Sequence, residues 1–287
     1  MSLVRTVNNL CEARLNELDL TPKQYNENIL CNSFIAGGAI LSVTKEEKIK
    51  DYDLFVTTAA SARSLVNTFL RRIQGGDTLQ LITEVDEVNP KISKGVLSFT
   101  QPDRMTLPIE DIIDNFNQLC KKQKSKGKLQ PVYLSKNAIT LSNGVQVIFR
   151  FIGEPEDVFS TFDYEHCKVY WRPKPQGLLL GSLVYTGRSQ ESIAKNELIY
   201  TGNTRFVLSA ISRLNKFIKR GWGISPSSLL SLAVTASKID WSNRKVLEEE
   251  LLGIYGIENK TLQLILDMCS TENKMDLDKV VQVLGEV

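Results

Sequence analysis

Phe34-Ile35-Ala36-Gly37-Gly38-Ala39-Ile40-Leu41 and, after a charged loop, Asp51-Tyr52-Asp53-Leu54-Phe55-Val56 are the two stretches whose joint reading decides the fold. The first is a short apolar run that delivers two consecutive glycines to the start of a predicted short helix. The second alternates and then turns wholly apolar, the pattern of a strand entering a core. Carboxylates at i and i+2 of a strand leave the same face with Cβ atoms about 7 Å apart, while Tyr52 between them turns inward. That spacing lets Asp51 and Asp53 reach one pair of magnesium ions bridging a triphosphate. Leu54-Phe55-Val56 anchors the strand, and the glycine pair lets backbone N–H groups approach phosphate oxygens with no Cβ in the way. The plainer reading of the same residues is a solvated strand start and a tight turn. The apolar flanks and the upstream glycines favour metal ligation.

Working outward, residues 3–18 place Leu3, Val7, Leu10, Cys11, Leu15 and Leu18 at helical spacing, and Thr21-Pro22 stops the pattern. A helix is predicted over 61–73, ended by Gly75-Gly76, a strand over 78–85, and a helix over 105–122 that runs into the basic loop 121–128. Strands over 132–141 and 145–152 flank Ser142-Asn143-Gly144, a hairpin signal because Asn-Gly supplies the positive φ angles of the turn. A helical turn at 155–160 and a strand over 162–171 complete the mixed part. Beyond about residue 190 only helices are predicted, at 204–220, 228–238, 243–255, 259–269 and 277–284. The expected fold class is α+β, a small mixed-sheet head over 1–189 followed by an all-helical region over 190–287.

Composition narrows the chemistry. The 287 residues carry 35 Lys+Arg against 33 Asp+Glu, so a nucleic-acid role would need a local basic patch rather than overall charge. No apolar stretch is long enough to cross a bilayer, and the charged N-terminus is not a secretory segment. Five cysteines without a C-x-x-C speak against a disulfide framework or zinc knuckle and for a reducing cytosol. With one histidine, His166, neither an H-E-x-x-H zinc site nor a multi-histidine iron site can be built. P-loop and dinucleotide fingerprints are missing too, which leaves carboxylates, glycines and basic side chains to carry any reaction.

Gly37-Gly38 followed by Asp51-x-Asp53 resembles the signature of the DNA polymerase β-like nucleotidyltransferase superfamily. The order helix, Gly-Gly-Ala, charged loop and D-x-D-hydrophobic is similar to the head of tRNA nucleotidyltransferases and bacterial poly(A) polymerases, especially compact versions carried by phages and large DNA viruses. The resemblance implies a third carboxylate on a later strand. Phe162-Asp163-Tyr164-Glu165-His166-Cys167 resembles the F-D-x-x-x-C segment of the phage-type members, making Asp163 the expected third metal ligand, with Glu165 and Asp157 as competitors. Arg205 to Ile224 resembles the arginine-bearing helix and K-x-G-F-x-I segment that follow such heads. Arg205, Arg213 and Lys216, with Ser42 beyond the glycine pair, are accordingly the expected contacts to triphosphate or primer phosphates. Where tRNA enzymes carry Arg-Asp beyond Gly-Gly-Ala, this chain has Leu41-Ser42. The resemblance further implies Mg2+ (or Mn2+), an NTP donor with ATP or CTP foremost, an RNA or tRNA 3′ end as acceptor, and the host cytoplasm as location for a phage-encoded chain. Two other functions stand beside it: nucleotidyl transfer to a protein or small molecule, and a non-catalytic descendant that binds a partner.

Overall fold

Helix α1 (Leu3–Asn16) starts where the Ser2 hydroxyl accepts the Arg5 N–H, and it buries Val7, Asn8, Cys11 and Leu15 along one stripe. Burial there pushes the Cys11 thiol up to about 12. This is a computed structural model, which describes residues 2–100, 108–123, 128–174, 181–241 and 243–253. Helix α2 (Pro22–Tyr25) opens with a Thr21–Gln24 capping box and runs through a π-turn (Asn26–Leu30) into β1 (Ser33–Ala36). Then come α3 (Gly38–Thr44), β2 (Tyr52–Val56), α4 (Ala59–Leu70), β3 (Leu79–Val85), β4 (Ser93–Phe99) and α5 (Ile109–Lys122). Strands β5 (Pro131–Leu134), β6 (Ala138–Leu141) and β7 (Val145–Ile152), the short α6 (Pro155–Phe159), and β8 (Val169–Arg172) with β9 (Ser182–Tyr185) follow.

Among the described residues these nine strands form one mixed sheet. Its main path runs β3-β4-β7-β2-β1-β8-β9, with the β5–β6 hairpin paired to β7. Strand β2 sits centrally, antiparallel to β1 and parallel to β7. Laterally paired residues share a sheet face, so the registers Ala36↔Asp53, Asp53↔Gln146 and Ala36↔Tyr170 put these four residues on one side. The opposite side holds Tyr52, Leu54, Ile35, Val147 and Trp171. There Trp171, fully buried, donates from Nε1 to Asn8 Oδ1 of α1 at 3.2 Å. The first side is floored by an aromatic group. Phe34 stacks on Phe55 with centroids 5.2 Å apart and meets Tyr170 and Phe159 edge-on. Such pairs contribute about 0.5–1.5 kcal/mol each beyond their burial.

The described chain divides into two compact units, and the second takes in Thr161–Glu165 together with the residues from Glu191 onward. Residues 161–165 had been expected in the head. A strand over 162–171 was also expected, and only Val169–Arg172 is strand; Glu165–Cys167 is a single 3₁₀ turn. Tyr164 instead bridges to Tyr200, and Glu165 donates its N–H to the Ile199 carbonyl. The expected single strand over 132–141 is two antiparallel strands, because Ser135 turns the chain with its hydroxyl bonded to Asn137 and Ala138. Helix α7 (Ser189–Lys195) begins at the end of the first unit and continues into the second, where β10 (Glu197–Leu198), α8 (Val207–Ile218), β11 (Gly223–Ile224), α9 (Pro226–Ser237) and α10 (Arg244–Leu252) appear in order. The two-residue β10 and β11 pair in parallel, an addition to a region read from sequence as purely helical. The predicted helices at 259–269 and 277–284 lie outside the described residues. Among the described residues no helix is long and apolar enough to cross a membrane.

Candidate active site

Three local features fix Asp51 and Asp53 in place. Tyr52, between them, is 5 % exposed and lies under the Arg14 guanidinium of α1. Its N–H donates to the Gly144 carbonyl at 2.9 Å, tying the start of β2 to the Asn143-Gly144 turn. Asn143 in turn donates to the Arg14 carbonyl at 3.3 Å. Leu54 and Val56 are fully buried. Asp53 is therefore a half-buried side chain on a strand immobilised on its other face, and Asp51, also half-buried, stands one residue before that strand begins.

The glycine pair lies beside them. Gly37 caps α3 with φ 71° and ψ −126°, a combination open only to a residue without a Cβ. Its N–H donates to the Val169 carbonyl of β8 and its carbonyl accepts the first helical bond from Leu41. A Cβ placed on Gly37 would lie 4.0 Å from Asp53 Oδ2, and one on Gly38 would meet nothing within 4 Å. Bare, open backbone thus faces a carboxylate, brought there because Ala36, the last residue of β1, pairs with Asp53. Ser42 follows on α3, 7 % exposed.

Gln146 was not singled out by the sequence. It stands opposite Asp53 on β7, and its Nε2 donates to Asp51 Oδ2 at 3.3 Å. No local signal points to it, because its place beside Asp51 and Asp53 comes from the pairing of β7 with the distant β2.

Asp163 lies in the second unit, 5 % exposed, with its Oδ2 accepting from Arg213 Nη1 of α8. Its carbonyl accepts the Thr201 N–H at 2.9 Å. Asp51 and Asp53 thus belong to the first unit and Asp163 to the second, and among the described residues no group of three His, Cys, Asp or Glu side chains is placed to hold a metal ion. Glu165 begins the 3₁₀ turn and Asp157 lies on α6 within reach of Lys91 at 4.0 Å. Arg205 is exposed just before α8, its guanidinium over the neighbouring Phe206 ring, and Arg213 and Lys216 occupy the exposed side of α8. His166 is fully buried, with Nε2 3.3 Å from Cys167 Sγ. Part of the basic loop, residues 124–127, lies outside the described residues.

The model of the family described as "Gad2: Gabija anti-defense 2 family protein" matches residues 12–195. No curated protein matches. Among solved structures, the chain is similar to the Thermotoga maritima CCA-adding enzyme complexed with tRNA, at 13 % identity and TM-score 0.42, covering 88 % of this chain and 52 % of that one. It is also similar to the Bacillus stearothermophilus CCA-adding enzyme in complex with CTP, at 11 % identity and TM-score 0.43, covering 96 % and 62 %. A CCA-adding enzyme in an apo form matches at 13 % identity and TM-score 0.44, over 94 % and 51 %. The chain thus spans between half and two thirds of the length of these enzymes.

Proposed function

The chain belongs to the Gabija anti-defense 2 family, and from that membership and the Gly37–Asp53 geometry we propose that it counters Gabija defence by nucleotidyl transfer. The donor is an NTP, ATP or CTP foremost, and the acceptor is a hydroxyl group on a component of the defence, whose oxygen bonds the α-phosphorus as the α–β phosphoanhydride bond breaks and pyrophosphate leaves. The observation that carries this reading is the juxtaposition of an open glycine backbone with the Asp53 carboxylate, 4.0 Å from where a Cβ would stand on Gly37.

The donor set fits Mg2+ arriving with its nucleotide. Magnesium keeps several waters and binds through one or two carboxylates plus substrate phosphates, and Asp51 and Asp53 are two half-buried carboxylates beside the same residue, Gln146. When bound, such an ion neutralises polyphosphate charge and eases deprotonation of an acceptor hydroxyl. Asp51 and Asp53 hold the ion, Asp51 being oriented by the Gln146 amide. Gly37 and Gly38 leave room for phosphate oxygens to approach the backbone, and Ser42, on the helix they open, is assigned to the same nucleotide. Arg205, Arg213 and Lys216 are assigned to acceptor or triphosphate phosphates, with Arg213 shared with Asp163.

A second acceptor, an RNA 3′ end, is favoured by the exposed cations of α8, Lys216 and Lys219 among them. One experiment separates the two. The protein is incubated with each α-labelled NTP, Mg2+, purified Gabija components and total RNA, and Asp53→Asn is the control. Label in a Gabija protein supports the first acceptor and label in RNA the second. Asp53→Asn should lower transfer at least about a hundredfold, the scale set by removing a charge-stabilising group from an active site. Transfer that survives this change, or no transfer by the folded wild type with any NTP, defeats the reading.

A further inference from the structure

Among the described residues, helix α9 (Pro226–Ser237) is packed into the second unit along one side and open on the other. Its start is well defined: the Ser225 hydroxyl accepts the Ser228 N–H at 3.2 Å, and Pro226 occupies the first turn. Ser228 and Leu232 are buried, and the Ser228 hydroxyl accepts the Tyr200 N–H at 3.1 Å. At about 100° per residue, the point opposite this buried side falls at Leu230, with Ala233 and Val234 beside it. Leu229, Leu230 and Val234 are 51, 66 and 46 % exposed. An ordinary surface helix carries its charges on that outward side, and one that is apolar all round is covered. Helix α9 has no charge at all. Residues 221–237 are a run of 17 without Asp, Glu, Lys or Arg, in a chain of which 24 % are charged. One other run is as long, 28–44, and it forms the core strand β1 and α3.

We propose that the outward face of α9 binds a second copy of this chain, the two helices packing antiparallel about a two-fold axis at Leu230. The choice of occupant comes from charge. A nucleic acid needs cations on the surface that holds it, and α9 offers none, whereas α8 of the same unit exposes Arg213, Lys216 and Lys219. A helix that lies on a membrane surface is rich in Lys and Arg, which α9 lacks. A partner of different sequence is met by charges complementary to its own. A two-fold axis instead sets each residue near it against its own image, so a charge there would face a like charge, and self-pairing demands a neutral centre. Antiparallel alignment also opposes the two helix dipoles. Twelve residues of helix are about 18 Å long, a contact well below the standard interface of about 800 Å² on each partner. The dimer is therefore a weak one, with a Kd of about 1–100 μM. It depends on nothing in the nucleotidyl-transfer reading.

Sedimentation equilibrium of the whole protein, over concentrations that span this Kd, is the test. Wild type should pass from monomer to dimer mass as concentration rises. Leu230→Glu and Leu230→Lys each set like charges against one another at the axis, and each should weaken association at least about tenfold. Both are good helix formers at an exposed position, so the fold is kept, which thermal melts check. Should both melt early, the uncharged Leu230→Gln takes their place and should weaken association about threefold or more. Mixed together, the Glu and Lys variants oppose unlike charges and should associate at least about tenfold more tightly than either alone. Val88→Glu, at a residue of the first unit that is 72 % exposed, should leave association as in wild type. Wild type that stays monomeric throughout overturns the proposal and leaves the face to another occupant, residues 254–287 of the same chain included. Position-230 variants that associate like wild type, or a Val88→Glu change that weakens association equally, remove α9 as the interface. A Glu–Lys mixture no tighter than its components removes the two-fold at Leu230.

Discussion

At the scale of single residues, the two adjacent glycines do different work, and substitution separates them. Gly37→Ala meets a backbone with φ 71° and ψ −126°, so the cost is backbone strain of about 1–3 kcal/mol rather than crowding, since the added carbon touches only a carboxylate oxygen at 4.0 Å. Gly38 is the first residue of α3, and a carbon added there meets nothing. Gly38→Ala should therefore hold or raise stability by up to about 1 kcal/mol, by lowering the entropy of the unfolded chain. It should at the same time weaken nucleotide binding, because the new methyl fills space the phosphates need. Thermal melts with and without Mg2+–NTP read both outcomes; a Gly38→Ala protein that is stabilised by nucleotide as much as wild type contradicts the phosphate role. The Asp51-x-Asp53 pair and the diglycine were readable directly from sequence because their geometry is local: a strand's period of two and the missing Cβ decide it. Gln146 was not readable, since its relation to Asp51 exists only across a strand pairing.

At the scale of elements, α8 has no cap of its own. Phe206 precedes it and supplies no hydrogen bond, and the Glu250 carboxylate of α10 accepts the Leu208 N–H at 3.0 Å instead. Glu250 is 4 % exposed, and burial raises its pKa above 4.5, partly offset by the backbone donors of Leu208 and Val207. With the folded value above the unfolded one, the folded state holds the proton longer. The contribution to stability is fully present below the ordinary carboxylate range and is lost as pH rises through the raised folded value. Gln at this position keeps an oxygen acceptor and cannot ionise. The stability of Glu250→Gln relative to wild type should thus improve as pH rises from the ordinary carboxylate range through the raised folded value, whereas Glu250→Ala should lose about 0.5–2 kcal/mol with the cap. Urea melts at a series of pH values measure both, and a Gln-minus-wild-type difference that stays flat across the range contradicts the burial account. Strands and helices with strong periodicity, such as α4, α5 and α8, were visible in the sequence. Strand β4 was not, because Ser93-Lys94-Gly95-Val96-Leu97-Ser98-Phe99 carries too few apolar residues to stand out, and it is held by pairing along the whole of β3. The strand expected at 162–171 failed for the opposite reason. Tyr164, Val169 and Trp171 are buried, but Tyr164 belongs to the second unit and Val169 and Trp171 to the first.

At the scale of the whole molecule, the informative feature is that five residues flanked on both sides by the first unit, Thr161–Glu165, are built into the second. The Tyr164 hydroxyl donates to the Ala210 carbonyl at 2.8 Å, Thr201 donates to the Asp163 carbonyl, and Asp163 pairs with Arg213. Removing Arg213 leaves an almost fully buried carboxylate with its cation gone. Removing the charge of Asp163 leaves an arginine that is 47 % exposed and can turn to water. Arg213→Met should therefore cost about 1–3 kcal/mol and Asp163→Asn less than about 1 kcal/mol, below the range for fully buried pairs because one partner is half solvated. Equilibrium unfolding in urea checks the order; equal losses, or a larger loss for Asn, contradict it. The α+β class and the change in character near residue 190 could be read from composition and period. The crossing of residues 161–165 could not, since nothing within five residues says which side of a boundary they join.

That crossing also sets an order of events during synthesis. Asp163 leaves the ribosome 50 residues ahead of Arg213, a wait of roughly 3–10 s at typical elongation rates of about 5–20 residues per second. Through that interval the nascent sheet stands nearly finished while Tyr164 and Asp163 dangle between strands already made, available to any chaperone or misplaced neighbour that reaches them first.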